Sequence, residues 1–418
     1  MRSSDMITNS KKRVKRENQL RIIKLLQCKK KMSRKQIASM LQLTPASITQ
    51  LTSDMIEAGI LQEVGTIEGR KTTSGPREIL LNINENYKYL LGIDIEIDNV
   101  SLGLVTLAGR SIIKRSFKFN LKSLSQDSLP TLVKKVKSRI LQVLNKKQLE
   151  FRDVLYCGIG MVGREYYYQS RGLAIPPMLH LKNELIKLLS KEIAIPMYLE
   201  NNVRALAIAE SNFHQHEATS FLFIKVGPGI GSAIVLDNQL YYGERGRAGE
   251  IGSSIVTSFY PNSNQKEDIF LEDIISLDFI KVELSQKWTK QQYPLLYAKT
   301  AGKLDEMTIN DVYYALANKE ANLIALYQTK MHILASRIID YTDLLDLKMV
   351  YLFFSGTKSK FLFNLLNKEL ETSFKRTNRE IRLSNIDNNQ AFIGGAGVAY
   401  IKSIEMLANL DIDLIDLS

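Results

Sequence analysis

Near the N-terminus, apolar residues recur at the spacing of three amphipathic helices. The first predicted helix covers residues 17–28, the second begins at Ser33 and the third at Pro45. Residues 1–16, which include the sequence KKRVKR, are predicted to form a basic arm ahead of them. The apolar faces of the three helices consist of Leu20, Ile23, Leu26, Ile37, Ala38, Met40, Leu41, Ile48, Leu51 and Met55.

The second and third helices begin with residues that cap helices. Ser33 and Gln36 have the spacing of a capping box, in which each side chain accepts a hydrogen bond from the other residue's backbone N–H. Thr44 supplies an N-cap oxygen, and Pro45 fits the first helical position, where no N–H is needed. Gly59 can end the third helix in a left-handed conformation. Two short helices across a tight turn predict a helix-turn-helix, whose second helix enters the major groove of DNA.

The exposed positions of this motif predict the contacts with DNA. Small polar side chains at the start of the third helix suit base edges, and nearby cations suit phosphates. The predicted contact residues are Arg34, Lys35, Pro45, Ala46, Ser47, Thr49, Gln50, Arg70 and Lys71. Arg70 and Lys71 lie between two β-prone runs, residues 60–64 and 78–83, which is typical of a wing, although a charged linker is the alternative. We therefore predict a winged helix-turn-helix domain over residues 1–84.

Net charge is concentrated in the same segment. Residues 1–84 contain 16 Lys and Arg against 7 Asp and Glu (+9), and the other residues contain 40 against 37 (+3). A basic module on a nearly neutral body is the pattern of a nucleic-acid-binding domain, although a solvated lysine-rich surface has the same composition. The two cysteines, Cys28 and Cys157, do not form a disulfide scaffold, and no signal peptide or membrane-spanning run is predicted. We expect a soluble cytoplasmic protein.

From about residue 89 the pattern changes to alternating strands and helices, with strands turning at Ala108-Gly109. A comparable series closes the chain, so we predict an α/β body of two lobes with a cleft between them. Glycine-rich turns follow three strands, and the turn with Gly227, Gly229 and Gly231 could approach a phosphate, although tight β-turns also need glycine. The predicted helices of the body cover residues 131–147, 181–192, 202–213, 319–344, 359–371 and 394–410.

The motifs together resemble the ROK family, which joins bacterial sugar-responsive repressors to sugar kinases that share one actin-like, ribonuclease H-like ATPase fold. The resemblance covers nearly the whole chain and implies lobes at residues 89–200 and 201–418, with the C-terminal helix returning to the first lobe. Kinases of the family lack the helix-turn-helix, so its presence indicates a repressor. The segments that carry the resemblance are LGIDIE, GIGMVG (158–163), LENNVRALAIAE (199–210), KVGPGIGSAIV, GRAGEIGS (246–253), FLED (270–273), YLFFSG and FIGGAGVAY.

The chain departs from the family's kinases at the positions that perform phosphoryl transfer. The phosphate loop Asp-x-Gly-x-Thr reads DIEID (94–98), and the added carboxylates Glu96 and Asp98 would repel phosphate. The Asn-Asp pair that supplies the general base reads Asn-Asn at 201–202, and a carboxamide cannot accept the proton; Glu200 is the alternative base. We therefore expect no kinase activity and no bound ATP. The residues of the degenerate phosphate loops are Asp94, Gly227, Gly229 and Gly231.

The resemblance also implies what remains of the family's zinc and sugar sites. Serine replaces the zinc-binding histidine at 253, and Ser263, Gln265 and Phe270 stand at cysteine positions, so no zinc or other metal is expected. Part of the sugar site is retained, and converging polar side chains suit a polyol, although Glu250 and Glu272 could instead be surface carboxylates. The implied ligand-binding residues are Asn201, Asn202, Glu250, Ser253 and Glu272.

These features favour one function over two others. The favoured function is a repressor of carbohydrate uptake or catabolism genes, released from a double-stranded DNA operator by a sugar or sugar phosphate. A homodimer or homotetramer would match a palindromic operator. The alternatives are a sugar kinase with a DNA-binding head and a ligand-independent DNA-binding protein with a degenerate sensor domain.

Overall fold

The computed structural model describes residues 3–66, 78–163, 175, 177–214, 218–257, 268–355 and 360–409. The helices are α1 (Ser3–Lys29), α2 (Arg34–Leu41), α3 (Pro45–Glu57), α4 (Leu129–Lys146), α5 (Pro177–His180), α6 (Lys182–Glu192), α7 (Asn202–Phe213), α8 (Leu271–Ile275), α9 (Leu277–Ser285), α10 (Pro294–Lys299), α11 (Ile309–Ala317), α12 (Ala321–Leu344), α13 (Lys360–Thr377) and α14 (Phe392–Asn409). The strands are β1 (Met32–Ser33), β2 (Leu61–Thr66), β3 (Ile79–Ile83), β4 (Tyr89–Ile95), β5 (Asn99–Thr106), β6 (Ser111–Lys118), β7 (Val154–Met161), β8 (Met197–Asn201), β9 (Phe221–Val226), β10 (Ile230–Leu236), β11 (Gln239–Tyr241), β12 (Met349–Phe354) and β13 (Glu380–Leu383). No helix among these described residues is long and apolar enough to cross a membrane.

The N-terminal domain is the predicted winged helix-turn-helix. Helices α1 to α3 pack on a three-stranded sheet of order β1-β3-β2, in which β2 and β3 form the antiparallel wing. The first helix was predicted to begin at residue 17, but α1 begins at Ser3, because neither glycine nor proline interrupts residues 3–29. Most of the predicted basic arm is therefore helical, and Arg16 is buried. The tip of the wing, with Arg70 and Lys71, lies outside the described residues.

The body contains two five-stranded sheets with the same topology. Their strand orders are β6-β5-β4-β7-β8 and β11-β10-β9-β12-β13. In each sheet, three consecutive strands pair antiparallel, and the first of them also pairs in parallel with a later strand, β4 with β7 and β9 with β12. Because the carboxyl ends of parallel strands form the usual ligand-binding edge, this repetition places two such edges on either side of a cleft.

Helix α14 packs on the first sheet so closely that glycine is required at the contact. A Cβ added at Gly158 would lie 2.0 Å from the carbonyl oxygen of Gly395, and one at Gly92 would lie 2.0 Å from that of Phe392. On its other side, α14 contacts α7, and both helices contact α1 of the winged helix. A pair of adjacent helices therefore connects the body to the DNA-binding domain.

Candidate functional site

The N-terminal half of α3 forms an exposed surface of the winged helix. Thr44 caps the helix, because its Oγ1 accepts a hydrogen bond from the backbone N–H of Ser47 over 3.2 Å, and Pro45 occupies the first turn. Ile48 and Leu51 face the core, which leaves the opposite side of α3 in solvent. The predicted contact residues on that exposed side are Pro45, Ala46, Ser47, Thr49 and Gln50.

The two cations predicted on α2 have different surroundings. The side chain of Lys35 is 85% exposed, and its Nζ lies 3.7 Å from a carboxylate oxygen of Glu78. The Nε of Arg34 donates to Thr52 Oγ1 over 3.0 Å, and its Nη2 donates to Glu63 over 3.2 Å. Arg34 therefore joins α2 to α3 and β2, because its several donors suit acceptors on both elements, and its contact with DNA stays a prediction.

In the body, the residues implied by the resemblance converge on one cavity of about 80 Å³ between the two sheets. The predicted residues that line this cavity are Asn201, Asn202, Gly227, Gly229, Gly231, Glu250, Ser253 and Glu272. Asp94 instead lines a larger neighbouring cleft of about 1350 Å³. Glu96 lines both spaces and so marks the boundary between them.

Two asparagines begin α7 at the wall of the cavity. The Oδ1 of Asn201 accepts hydrogen bonds from the backbone N–H groups of Val203 and Arg204, over 2.9 and 3.2 Å. Since a carbonyl oxygen has two lone pairs, only the amide N–H groups of Asn201 remain for a ligand. The Nδ2 of Asn202 donates to Glu96 Oε1 over 2.8 Å, so the residue at the kinase base position is a hydrogen-bond donor here.

Glu96 is also paired with Lys225, a residue that the sequence analysis missed. The Nζ of Lys225 is bonded to Glu96 Oε1, and the two side chains are only 9% and 23% exposed. Glu96 follows β4 of the first sheet and Lys225 lies on β9 of the second, so this ion pair connects the lobes across the cleft. The one signal in the sequence was a cation within the otherwise apolar strand FLFIKV.

Asp94 is a buried carboxyl beside this ion pair. Burial, with a smaller contribution from the neighbouring Glu96, raises the pKa of Asp94 to about 7, and Lys225 opposes both effects. Asp94 therefore titrates near neutral pH, whereas an ordinary aspartate is ionised there.

The remaining carboxylates hold the glycine-rich turn and its surroundings. Glu272 is buried, and its Oε2 accepts a hydrogen bond from the backbone N–H of Ile230 over 3.0 Å. Glu250 and Ser253 are half-buried at the two ends of a short 3₁₀ turn. Glu200, the alternative base, does not line the cavity; its oxygens accept hydrogen bonds from Tyr242 Oη over 2.9 Å and from the next backbone N–H over 2.8 Å.

The residues at the family's zinc positions do not fit that metal. Ser253 and Phe270 offer neither a thiolate nor an imidazole, and Ser263 and Gln265 lie outside the described residues. Within the described part of the chain, no cluster of three or more His, Cys, Asp and Glu side chains could hold a metal ion.

The chain is similar in sequence to bacterial transcriptional regulators. The chain is 26% identical over 245 residues to the xylose repressor of Caldicellulosiruptor bescii, covering 58% of this chain and 59% of that protein. It is 24% identical over 244 residues to the DNA-binding transcriptional dual regulator NagC of Escherichia coli K12, covering 57% of each. The chain thus spans about three fifths of the length of these relatives.

Solved structures with a similar fold include regulators and kinases. A ROK family transcriptional regulator, described as a homologue of the E. coli MLC protein, matches with a TM-score of 0.67 at 20% identity, covering 95% of this chain and 98% of that one. A ROK family glucokinase from Streptomyces griseus, in complex with glucose and AMPPNP, matches with a TM-score of 0.58 at 16% identity, covering 74% and 99%. At these identities the matches establish the fold, and they confirm the predicted actin-like body.

Two family models account for nearly all of the described chain. Residues 15–62 match a winged helix-turn-helix DNA-binding model, which confirms the domain predicted from the capping residues. Residues 90–400 match the ROK family model. The chain belongs to the ROK family.

Proposed function

We propose that this chain is a transcriptional repressor that binds double-stranded DNA through α3 and is released by a sugar. The genes it controls would serve carbohydrate uptake or catabolism. The names of its relatives, a xylose repressor and NagC, support this function. As a homodimer or homotetramer, it would place two α3 helices about 34 Å apart on a palindromic operator.

The observation that carries the proposal is that an asparagine, Asn202, stands where the family's kinases have their general base. Asn202 donates to Glu96 there, and Glu96 is held by Lys225, so no described group at that point can accept a proton from a sugar hydroxyl without breaking the ion pair. The same chain has an exposed α3 with the caps of a recognition helix. DNA binding is therefore the output that its residues favour, and we propose that it neither phosphorylates sugars nor holds ATP or zinc.

Release would follow from the helices that join the cavity to the winged helix. A sugar at the start of α7 contacts a helix that packs against α14 and α1. The sugar can shift the DNA-binding equilibrium only if it binds two arrangements of the lobes with different affinity. That difference would change the spacing or orientation of the two α3 helices on the operator.

The test is to isolate the bound DNA sequence and then measure its release by sugars. We expect Glu250→Ala to bind the operator normally and to lose the response to the sugar, because a hydroxyl partner is removed from the cavity. Glu244→Ala is the matched control, since Glu244 is an exposed carboxylate of the same segment. A normal response of Glu250→Ala at the same sugar concentration would contradict the assignment of the cavity.

Two further measurements separate the alternatives. A coupled ADP-release assay with hexoses and amino sugars tests the kinase alternative, and turnover above background would contradict our proposal. The internally bonded cleft favours a degenerate sensor as the second candidate function. In that case no sugar would raise the thermal stability of the protein, because only a ligand that binds the folded state does so.

A further inference from the structure

The cavity between the two sheets is lined by charged side chains of both signs. We infer that Glu96 and Lys225 are specificity-determining residues, which select an unphosphorylated polyol and reject its phosphorylated form. This inference rests on the proposed function and deepens it, because a kinase-like cavity could otherwise take either form. Three features of the cavity carry it.

The first feature is that the cations of the cavity are already engaged. Among its described lining residues, Glu96, Glu250 and Glu272 are carboxylates, and Lys225 and Arg204 are cations. Lys225 is bonded to Glu96, and Arg204 donates to the carbonyl oxygen of Gly246 and lies over the ring of Tyr242. A phosphate that drew Lys225 away would leave Glu96 without its cation beside the buried Asp94, and a phosphate that shared Lys225 with Glu96 would itself stand next to that carboxylate, where like charges repel.

The second feature is that four backbone donors beside the cavity, at the start of α7 and in the glycine-rich turn, are also engaged. The N–H groups of Val203 and Arg204, the second and third residues of α7, donate to the side chain of Asn201, which occupies the place of an anion at the helix N-terminus. In the glycine-rich turn, the N–H of Gly227 donates to the carbonyl oxygen of Gly229 over 2.9 Å. The N–H of Ile230 donates to Glu272. A phosphate, which presents mainly acceptors, would have to displace these partners.

The third feature is that the remaining side chains of the cavity suit hydroxyl groups. Carboxylates accept hydrogen bonds, and each hydroxyl of a polyol can donate one. Glu96 stands at the inner end, where the cavity meets the larger cleft, so it can accept a hydrogen bond from a terminal hydroxyl while Lys225 neutralises its charge. A terminal phosphate at the same point would face this carboxylate directly.

The experiment compares matched pairs of sugars on the wild-type protein and its variants. Calorimetry and operator release are measured with glucose, xylose and N-acetylglucosamine, and with the 6-phosphates of the two hexose sugars. We expect the wild-type protein to bind at least one unphosphorylated sugar, and to bind any hexose at least tenfold more tightly than its 6-phosphate. Glu96→Gln should reduce this ratio at least tenfold, because it frees the charge of Lys225 and keeps the size of the side chain.

Two controls separate specificity from stability. The double variant Glu96→Gln with Lys225→Met should restore the preference for the neutral sugar, because no free cation remains. Glu192→Gln breaks an exposed ion pair with Lys137 in the first lobe and should change neither affinity.

Three outcomes would overturn the inference. A wild-type protein that prefers a 6-phosphate and is released by it would overturn this inference alone and leave the proposed function intact. A folded Glu96→Gln variant whose ratio of affinities for a hexose and its 6-phosphate was unchanged would also overturn this inference and leave the proposed function intact. An operator complex that responds to no sugar in either form would contradict the sugar-controlled part of the proposed function, and this inference with it.

Discussion

The DNA-facing surface of α3 and the cavity of the body differ in how their polar side chains are bonded. On α3 the bonds are local: Thr49 Oγ1 donates to the carbonyl oxygen of Pro45, and Gln50 donates to Asp54, each four residues away. In the cavity Asn201 also bonds locally, but other bonds are distant: Ile230 bonds a residue 42 positions away, and Glu96 bonds residues 106 and 129 positions away. The first surface is made by one helix and its cap, whereas the second exists only when both lobes have folded.

This contrast has a functional meaning. A surface whose bonds are local can meet DNA without the rearrangement of distant residues. A cavity that has bonded its own polar groups must exchange those bonds for bonds to a ligand, which costs affinity and rewards a ligand of matching chemistry. The following substitutions test this difference between the two regions.

The largest effect is expected where the body is packed backbone to backbone. Gly158→Val would place a side chain against the carbonyl oxygen of Gly395, and neither β7 nor α14 can move without disturbing α7. We expect a loss of more than about 3 kcal/mol in the free energy of unfolding, because overpacked cores cannot relax. Denaturant unfolding, followed by a spectroscopic signal from the body, measures this free energy of unfolding.

Gly246→Ala provides the control for that substitution. Gly246 has a φ of +66° and nothing within 4 Å of an added Cβ, so only backbone strain is introduced. The cost should be about 1–2 kcal/mol. Equal costs at the two glycines would show that the contact between α14 and the sheet tolerates an added side chain.

Within the winged helix, two neighbouring residues separate stability from DNA contact. Ile48 is fully buried and Gln50 is exposed on the same helix. Ile48→Ala should lower the stability of the domain by about 2–4 kcal/mol, since it leaves a cavity in a small core. Gln50→Ala should change stability by less than about 0.5 kcal/mol and weaken operator binding. Thermal unfolding and fluorescence anisotropy with the operator measure both, and a Gln50→Ala variant with normal affinity would remove Gln50 from the interface.

The two regions also differ in how far the sequence alone predicts them. The caps at Ser33 and Thr44 and the apolar spacing predict α2 and α3, because all the interactions that start these helices lie within a few residues. The resemblance brought the cavity-lining residues together, but no local rule pairs Lys225 with Glu96, and the fold creates that contact. The helices α8 to α11 were not predicted, because short helices around a folded core depend on tertiary packing.

The pH dependence of stability should report on the buried charges of the cleft. Asp94 has a folded pKa of about 7, which is above its usual value of 3.8, so the folded protein binds this proton more tightly than the unfolded chain. The stability that this proton contributes is present at low pH and is lost as the pH rises from about 4 to 7, by up to about 1.4 kcal/mol per pH unit.

Asp94→Asn tests this prediction, because an amide cannot ionise. The melting temperature of the variant should change less than that of the wild-type protein between pH 5 and pH 8, and the variant should be the more stable of the two at pH 8. Parallel curves for the two proteins would mean that Asp94 does not titrate in this range. The winged helix supplies no comparable buried carboxyl among its described residues, so the effect belongs to the body.

The smallest effect is expected for the threonine N-caps, which occur in both regions. Thr44 caps α3 and Thr308 caps α11, each by accepting a hydrogen bond from a backbone N–H three residues later. Either threonine replaced by alanine should lower stability by about 1 kcal/mol, and serine should restore it because the oxygen is retained. Only Thr44→Ala should weaken operator binding, since α3 carries the exposed surface and α11 lies in the second lobe. If Thr308→Ala weakened operator binding equally, a change of stability in the second lobe would affect the α3 surface. The conclusion that this surface depends only on local interactions would then be wrong.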